Sequence, residues 1–374
     1  MDNEGTFIGR RGSKRIYTPD NAKHIFACGT TSSGKTVALA NYIKRAVEKD
    51  FPLLIVDGKG DIGEDSMLDI VQRLNPPGRK LYIVNLTDPE RSDLYNPFVG
   101  ATPTIAKDML INLSHWSEEH YKLNAERYLQ RVAQVLYKAG VTLSLKNIVR
   151  HMEYHAFLKL SASLLATKVI DKVEHAENTV IANTSGEVSV LSVARFSLIA
   201  ESELGHIFDE SGIDIYTAMK ERATILIVLN PLIYPELSPL IGKMVLIDCK
   251  KAVSKLFTAN LGRSFFIFDE ISVYASAALI DLVNKSRSAN VTCILATQSL
   301  SDLASAEDEH FKEQIIENCN NYILLRQNSA VNSENWANIF GTREDIAVTH
   351  QLKSEDGFTV DTGLGSARDV REYI

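Results

Sequence analysis

Eight consecutive residues near the amino terminus have the types and spacing needed to hold a phosphate group. Residues 29–36 read Gly-Thr-Thr-Ser-Ser-Gly-Lys-Thr. The glycines let backbone N–H groups wrap an anion, Lys35 would reach the β- and γ-phosphates, and the Thr36 hydroxyl would bind Mg²⁺. We therefore predict an ATP-binding loop made of Gly29, Thr30, Thr31, Ser32, Ser33, Gly34, Lys35 and Thr36. The alternative is a chance match, which the strand predicted before the loop and the helix predicted after it make improbable.

Two adjacent carboxylates follow an apolar run later in the chain. Residues 263–270 read RSFFIFDE, which is typical of a buried strand that ends in two acids. Acids at the carboxyl end of a parallel strand lie in the crevice where such sheets bind ligands. We expect Asp269 to hold the metal ion through water and Glu270 to polarise the attacking water. A solvated strand end is the alternative.

Three further segments carry polar residues that such a site could use. Gln298 follows the apolar run 291–296, and at the tip of a strand beside the acidic strand it could sense the γ-phosphate or position water; a polar cap on the strand is the alternative. Arg287 is at the end of the helix predicted near 277–287, where it could act as an arginine finger on a neighbouring subunit or be merely solvated, with Arg326 as a competing candidate. Residues 57–61 (DGKGD) follow the strand next to the phosphate loop, and their glycines predict a tight turn near the site or a plain βα turn.

Other readings of the chain are less well supported. A GTPase needs an NKxD motif, and the nearest match, residues 284–287 (NKSR), lacks the Asp. His151 and His155 stand four apart on a predicted helix, but no third ligand accompanies them. The four cysteines form no CxxC pair, which disfavours a zinc site and suits buried thiols in a reducing cytoplasm.

The pattern of apolar runs predicts an α/β fold with a mostly parallel sheet and an inserted all-α domain, and the phosphate loop makes it a P-loop NTPase. Continuous apolar runs at 24–28, 52–56 and 81–84 alternate with helical periodicity, as in a sheet covered on both faces. Residues 104–222 contain almost no strand-type runs, and the strands resume at 223–229. We expect a nucleotide-binding domain in two parts, 1–102 and 223–374, with the all-α insertion at 103–222.

The segments GTTSSGKT, DGKGD, FFIFDE and NKSRSANVTCILATQS, taken together, resemble the type IV secretion coupling proteins. These are the TraD/TraG-like conjugation ATPases of the FtsK/HerA superfamily. The resemblance spans about Phe7 to Gly341. It implies a RecA-like motor domain with an inserted all-α domain. It also implies a hexameric ring that uses ATP and Mg²⁺ at subunit interfaces to move DNA, or DNA–protein complexes, through a central channel. It assigns Arg287 to the trans-acting arginine and Gln298 to the sensor glutamine.

The resemblance also implies partners and a location. The partners would be relaxase-bound DNA or effector proteins, together with other secretion components. Family members usually begin with transmembrane helices, and this chain carries no apolar run of that length. We therefore expect a cytoplasmic fragment from the inner face of the bacterial membrane, with the basic run 10–15 near a membrane contact made by a segment absent from this chain. A naturally soluble relative is the alternative.

The net charge of −7 disfavours a surface coated with basic residues but allows DNA in one basic channel.

Three other functions stay open at this point. The chain could be a coupling ATPase for protein effectors, a docking module in which nucleotide controls assembly, or a HerA-like motor for DNA-end processing.

Overall fold

A computed structural model describes residues 5–21, 23–113, 116, 118–259, 261–303, 310–355 and 358–373. For residues 186–195, 342–347, 350–364 and 366–373 only the backbone course is considered below. The chain starts with a hairpin of β1 (Gly5–Arg11) and β2 (Lys14–Pro19), so the basic run lies in two paired strands.

A seven-stranded sheet forms the centre of the molecule. Its strands are β3 (His24–Cys28), β4 (Leu53–Asp57), β5 (Leu81–Asn85), β6 (Thr224–Val228), β7 (Ser264–Asp269), β8 (Val291–Thr297) and β9 (Cys319–Leu324). Their order across the sheet is β5-β6-β4-β7-β8-β3-β9, and every neighbouring pair is parallel. The predicted parallel α/β fold is therefore confirmed.

Helices cover both faces of this sheet, because successive side chains of each strand point to opposite sides. On one face α1 (Lys35–Glu48) and α2 (Met67–Leu74) pack on alternate residues such as Ile25, Ile55 and Ile267. On the other face α9 (Leu237–Leu256) and α10 (Ala277–Ser286) pack on the intervening residues, among them Phe26 and Phe268. Fully buried apolar side chains of this kind each stabilise the fold by roughly 1.5–3 kcal/mol.

Between β5 and β6 the described chain is helical. The helices are α3 (Pro103–Ile111), α4 (Glu119–Lys138), α5 (Leu145–Met152), α6 (Tyr154–Ala166), α7 (Lys172–Ala200) and α8 (Ile215–Lys220). Gly140, with φ 67°, follows the end of α4 as the sequence suggested. The apolar core of this segment is continuous with the core on the α9 face of the sheet.

One buried cation ties the helical segment to the sheet domain. The Lys251 ammonium, on α9, lies 2.9 Å from Asp248 Oδ1 and 3.0 Å from Asp214 Oδ2, and it donates to Val99 O at 3.0 Å. Tyr95 donates to the other Asp248 oxygen at 2.8 Å. Removing one partner from such a buried network leaves an uncompensated charge, which costs on the order of 3–5 kcal/mol.

The helix α11 (Phe311–Asn318) lies between β8 and β9 in the chain. After β9 come α12 (Ala330–Phe340) and a long antiparallel ribbon of β10 (Thr342–Glu355) and β11 (Phe358–Tyr373). The suggested hairpin at 357–361 is thus part of this ribbon, although residue 357 lies outside the described residues. In the described ranges, no helix combines the length and apolarity that crossing a membrane requires.

Candidate nucleotide site

The phosphate loop connects β3 to α1 at the carboxyl edge of the sheet. Gly34 has φ 100° and Ser32 has φ 59°, so the loop turns through left-handed conformations just before Lys35 opens the helix. Gly29 leaves no room for a side chain, since a Cβ there would lie 2.6 Å from both Leu325 Cβ and Ser33 Oγ. Backbone N–H groups at a helix start of this shape form an anion site.

Lys35 is folded inward over the loop that it serves. Its Nζ donates to the carbonyl oxygens of Gly29 and Thr30, and only 4% of the residue is exposed. Burial lowers the pKa of Lys35, and the nearby charge of Lys59 lowers it further. An arriving phosphate would replace the two carbonyl oxygens as the partner of this ammonium. Thr36 is the second residue of α1, which puts its hydroxyl at the mouth of the loop.

The carboxylate pair lies at the same edge, on β7, with β8 between it and the loop strand. Asp269 Oδ1 accepts from the Glu270 N–H at 3.1 Å, and Glu270 Oε1 accepts from Ser272 Oγ at 3.0 Å. Glu270 adopts φ 52°, a left-handed conformation that costs a non-glycine residue of order 1 kcal/mol or more and often occurs at functional sites.

Three buried carboxylates, Asp57, Asp269 and Glu270, lie at this edge. Asp57 Oδ2 and Glu270 Oε2 have no hydrogen-bond partner among the described residues, and Asp269 Oδ2 has only the ion pair with Lys59. Buried carboxylate oxygens beside a phosphate loop fit Mg²⁺, which usually takes one or two protein carboxylates and completes its shell with water and phosphate oxygens. The described residues contain no group of three or more His, Cys, Asp or Glu able to hold a metal ion without such help.

The turn at residues 57–61 belongs to this site, although its strand is not where the sequence suggested. β4 does not lie next to the phosphate-loop strand; it pairs with β7, so Asp57 stands opposite Asp269. Lys59 Nζ lies 3.1 Å from Asp269 Oδ2. Burial, followed by the charge of Asp269, raises the pKa of Asp57 to about 7. Burial lowers the pKa of Lys59, but the charges of Asp269, Asp57 and Glu270 outweigh it and the net change is upward.

Gln298 and Arg326 both contact the phosphate loop of their own chain. Thr31 Oγ1 donates to Gln298 Oε1 at 3.1 Å, since β8 runs beside β3 and ends level with it. Arg326 follows β9 on the other side and donates to Thr31 O at 3.3 Å and to Thr30 Oγ1 at 3.4 Å. Arg326 is therefore arranged to act in its own site, which disfavours it as a finger for a neighbour.

Arg287 lies at the opposite edge of the sheet. It precedes β8, whose amino end is next to His24 and Ser264, whereas the phosphate loop follows the carboxyl end of β3. A pocket of about 150 Å³ at this edge is lined by Arg287, Arg263 and Lys23 among others. The structure thus brings the loop, the acid pair and Gln298 together and leaves Arg287 apart from them.

The two histidines considered as a metal pair do not share a helix. His151 is in the last turn of α5 and His155 in the first turn of α6. The break occurs at Glu153, whose carboxylate accepts from the backbone N–H groups of His155 and Ala156 at 3.0 and 2.8 Å. Glu153 caps the amino end of α6, and this helix start between the two histidines is not visible in their four-residue spacing.

The order of the strands and the loop after β3 define a RecA-like P-loop NTPase fold. The family model for the type IV secretion-system coupling protein DNA-binding domain matches residues 16–363, nearly the whole chain. The chain belongs to this family.

Solved structures agree on the fold. The bacterial conjugative coupling protein TrwBdeltaN70 is 16% identical with a TM-score of 0.64, over 100% of this chain and 82% of that one. TrwB in complex with the ATP analogue ADPNP gives the same score and identity, over 96% of this chain and 82% of that one. VirB4 of Thermoanaerobacter pseudethanolicus is 14% identical with a TM-score of 0.56, over 91% and 88% of the two chains.

One curated relative is similar in sequence. It is an uncharacterized protein of Mycoplasma pneumoniae, 30% identical over 133 residues, which are 36% of this chain and 84% of that protein.

Proposed function

We propose that this chain binds ATP with Mg²⁺, hydrolyses it, and uses the reaction to drive a DNA substrate through a type IV secretion system. The observation that carries the proposal is the edge of the sheet at which Lys35, Asp269 and Glu270 are all buried and close enough for their charges to interact. A scaffold that only binds nucleotide has no use for a buried base beside that loop. Family membership and the structures of TrwB in complex with ADPNP and with ADP and Mg²⁺ support a nucleotide with Mg²⁺ as the ligand.

Each residue of the site has a distinct role in this proposal. The backbone of residues 29–34 and the Lys35 ammonium bind and orient the phosphates. Thr36 and Asp269 would hold the Mg²⁺ ion, which when bound supplies positive charge to the phosphate oxygens. Glu270 accepts the proton of the attacking water, and Gln298 orients the terminal phosphate.

The site would be completed by another copy of the chain. Arg287 stands at the edge of the sheet that faces away from its own phosphate loop, so it serves a nucleotide bound by a neighbour. A head-to-tail interface of this kind closes into a ring when the rotation between copies allows it. We propose a hexamer, by similarity to the family, with hydrolysis confined to assembled subunits.

We further propose that residues 1–102 and 223–374 form the motor and that residues 103–222 form an all-α domain that meets the substrate-processing complex. Relaxase-bound DNA and other secretion components are the partners that this assignment implies. A position at the cytoplasmic face of the inner membrane would follow from a membrane contact outside this chain. The family description, which names a DNA-binding domain, supports DNA over a purely proteinaceous substrate.

The first experiment is a steady-state ATPase assay against protein concentration, with and without single- and double-stranded DNA. Glu270→Gln provides the blank, because it keeps the shape of the side chain and removes the base. A rate per subunit that rises with concentration and rises further with DNA is the expected result. A rate that DNA leaves unchanged would favour a coupling ATPase for protein effectors, and the absence of hydrolysis at every concentration would refute the motor.

A further inference from the structure

Lys59 is held in a fixed position over the acidic part of the site. Its backbone N–H donates to Asp57 Oδ1 at 3.0 Å, directly after β4 ends. The next residue, Gly60, has φ 75°, and a Cβ there would lie 2.0 Å from Leu229 O, so the turn is packed closely against the end of β6. With its backbone anchored on both sides, Lys59 extends its side chain to Asp269, where Nζ lies 3.1 Å from Oδ2.

The charges around Lys59 are unbalanced without it. Asp57, Asp269 and Glu270 are all more than nine-tenths buried and lie close enough to influence one another. Among the residues that the structure describes, Lys59 is the one cation that forms an ion pair with any of these three acids. Lys35, the other lysine of the site, donates instead to the carbonyl oxygens of the phosphate loop.

Lys59 and a metal ion would compete for the same carboxylate. Apart from the Lys59 ammonium, no group among the described residues approaches Asp269 Oδ2 as a hydrogen-bond donor. The charge of this oxygen is therefore balanced by Lys59. A dication bound through Asp269 would stand within a few ångströms of that ammonium. Two such charges repel strongly at that distance, because the acids beneath them are buried.

We propose that Lys59 is the resident counter-ion of Asp269, occupying the cation position of the nucleotide-free site until Mg²⁺ arrives with the nucleotide and displaces it. This inference rests on the proposed nucleotide site. Lys59 is a positioning residue in this scheme: it keeps Asp269 charged and oriented, and in the metal-free site it supplies the positive charge that Mg²⁺ supplies once it is bound. Without Lys59, a metal-free nucleotide meets a more negative pocket, whereas a nucleotide that arrives with Mg²⁺ does not.

The test is the linkage between Mg²⁺ and ADP in the full chain. The Kd of a fluorescent ADP is measured in EDTA and in saturating Mg²⁺, and the ratio of the two values reports how strongly the metal assists the nucleotide. For Lys59→Met we expect the ratio of the Kd in EDTA to the Kd in Mg²⁺ to rise about tenfold or more, because the metal-free pocket loses one positive charge at short range. Lys59→Arg keeps the charge and should stay close to wild type.

Two controls separate the proposal from a structural role. Lys44→Met removes a lysine whose side chain is 63% exposed on α1, far from the acids, and should leave the ratio unchanged. If Lys59 merely supported the turn, Lys59→Met would weaken ADP binding equally with and without Mg²⁺, and the unchanged ratio would overturn the proposal. Lys59→Gln repeats the measurement with a polar side chain if thermal unfolding reveals a misfolded Met variant. Wild-type protein that binds no ADP in Mg²⁺ would instead overturn the nucleotide site, and this inference with it.

Discussion

Arg287 provides a direct test of active sites shared between subunits. β8 has seven residues, which at about 3.3 Å per residue gives a strand roughly 20 Å long. Arg287 lies before the amino end of β8, and Thr297 at the carboxyl end accepts a hydrogen bond from Gly29 of the phosphate loop. That separation exceeds the reach of an arginine side chain. We therefore expect Arg287→Ala to lose ATP hydrolysis while it binds ATP as tightly as wild type.

Mixing two inactive variants gives this prediction a magnitude. Glu270→Gln subunits lack the base but retain the arginine, and Arg287→Ala subunits have the reverse defect. In a head-to-tail ring assembled from an equal mixture, about one interface in four joins an intact Glu270 to an intact Arg287. If interfaces act independently, the mixture should hydrolyse ATP at about a quarter of the wild-type rate, although each parent is inactive.

The assay is a steady-state ATPase measurement on subunits mixed before assembly, at the concentration where wild type reaches its full rate. Lys285→Ala is the matched control, because it removes an exposed positive charge from the same helix end and should leave the rate unchanged. A mixture no more active than its parents would refute the shared site. Loss of ATP binding in Arg287→Ala would show that this residue acts structurally.

Three other predictions concern stability and catalysis. Burial, with a smaller contribution from Arg287, lowers the pKa of His24 to about 4. Between pH 6.5 and 4 the unfolded chain therefore binds more protons than the folded one, and the wild type should lose up to about 3 kcal/mol of unfolding free energy as the pH falls through that range. His24→Gln should not show this loss, which urea titrations at several pH values can measure. Gly60→Ala should destabilise the fold by about 1–3 kcal/mol or more because of its positive φ and the close Leu229 carbonyl, while Gly63→Ala, where a Cβ meets no atom within 4 Å, should be neutral in the same titrations. Gln298→Ala should lower kcat with little change in the Kd for ATP, and equal losses in both would argue for a binding role.

The elements that could be predicted from the sequence are those whose information is contiguous. The apolar runs near 24–28, 265–268 and 291–296 predict buried strands, and β3, β7 and β8 follow these runs closely. The eight-residue phosphate loop and the adjacent acids carry their chemistry in neighbouring positions as well. Their meeting at one edge then follows from the rule that parallel strands place their carboxyl ends together. The individual catalytic roles stay predictions.

The local sequence patterns do not predict the order in which the strands lie side by side in the sheet. Asp57 faces Asp269 because β4 pairs with β7, two elements that lie far apart in the chain, and the apolar runs do not specify which strands pair. For this reason the sequence predicts a turn near the site at residues 57–61 but does not predict the ion pair between Lys59 and Asp269. The sequence does not predict helix α12, because three of its residues are Asn, a weak helix former. It is stabilised by tertiary packing, with the Trp336 ring tilted against Phe26 at 5.8 Å between ring centroids.

The positions at which the chain leaves and re-enters the sheet have a consequence for how this protein can change. β5 ends before the helical segment and β6 begins after it, and these two strands are hydrogen-bonded neighbours at the border of the sheet. Because the two strands are parallel, the helical segment leaves the carboxyl end of β5 and returns to the amino end of β6, one strand length away. Every strand pair of the seven-stranded sheet is made by residues outside this segment. Doubling the length of such a connection costs only about 0.6 kcal/mol of closure entropy. Its length is therefore free to change, but a replacement would have to cover the apolar surface on the α9 face and supply an acid like Asp214 to the buried Lys251.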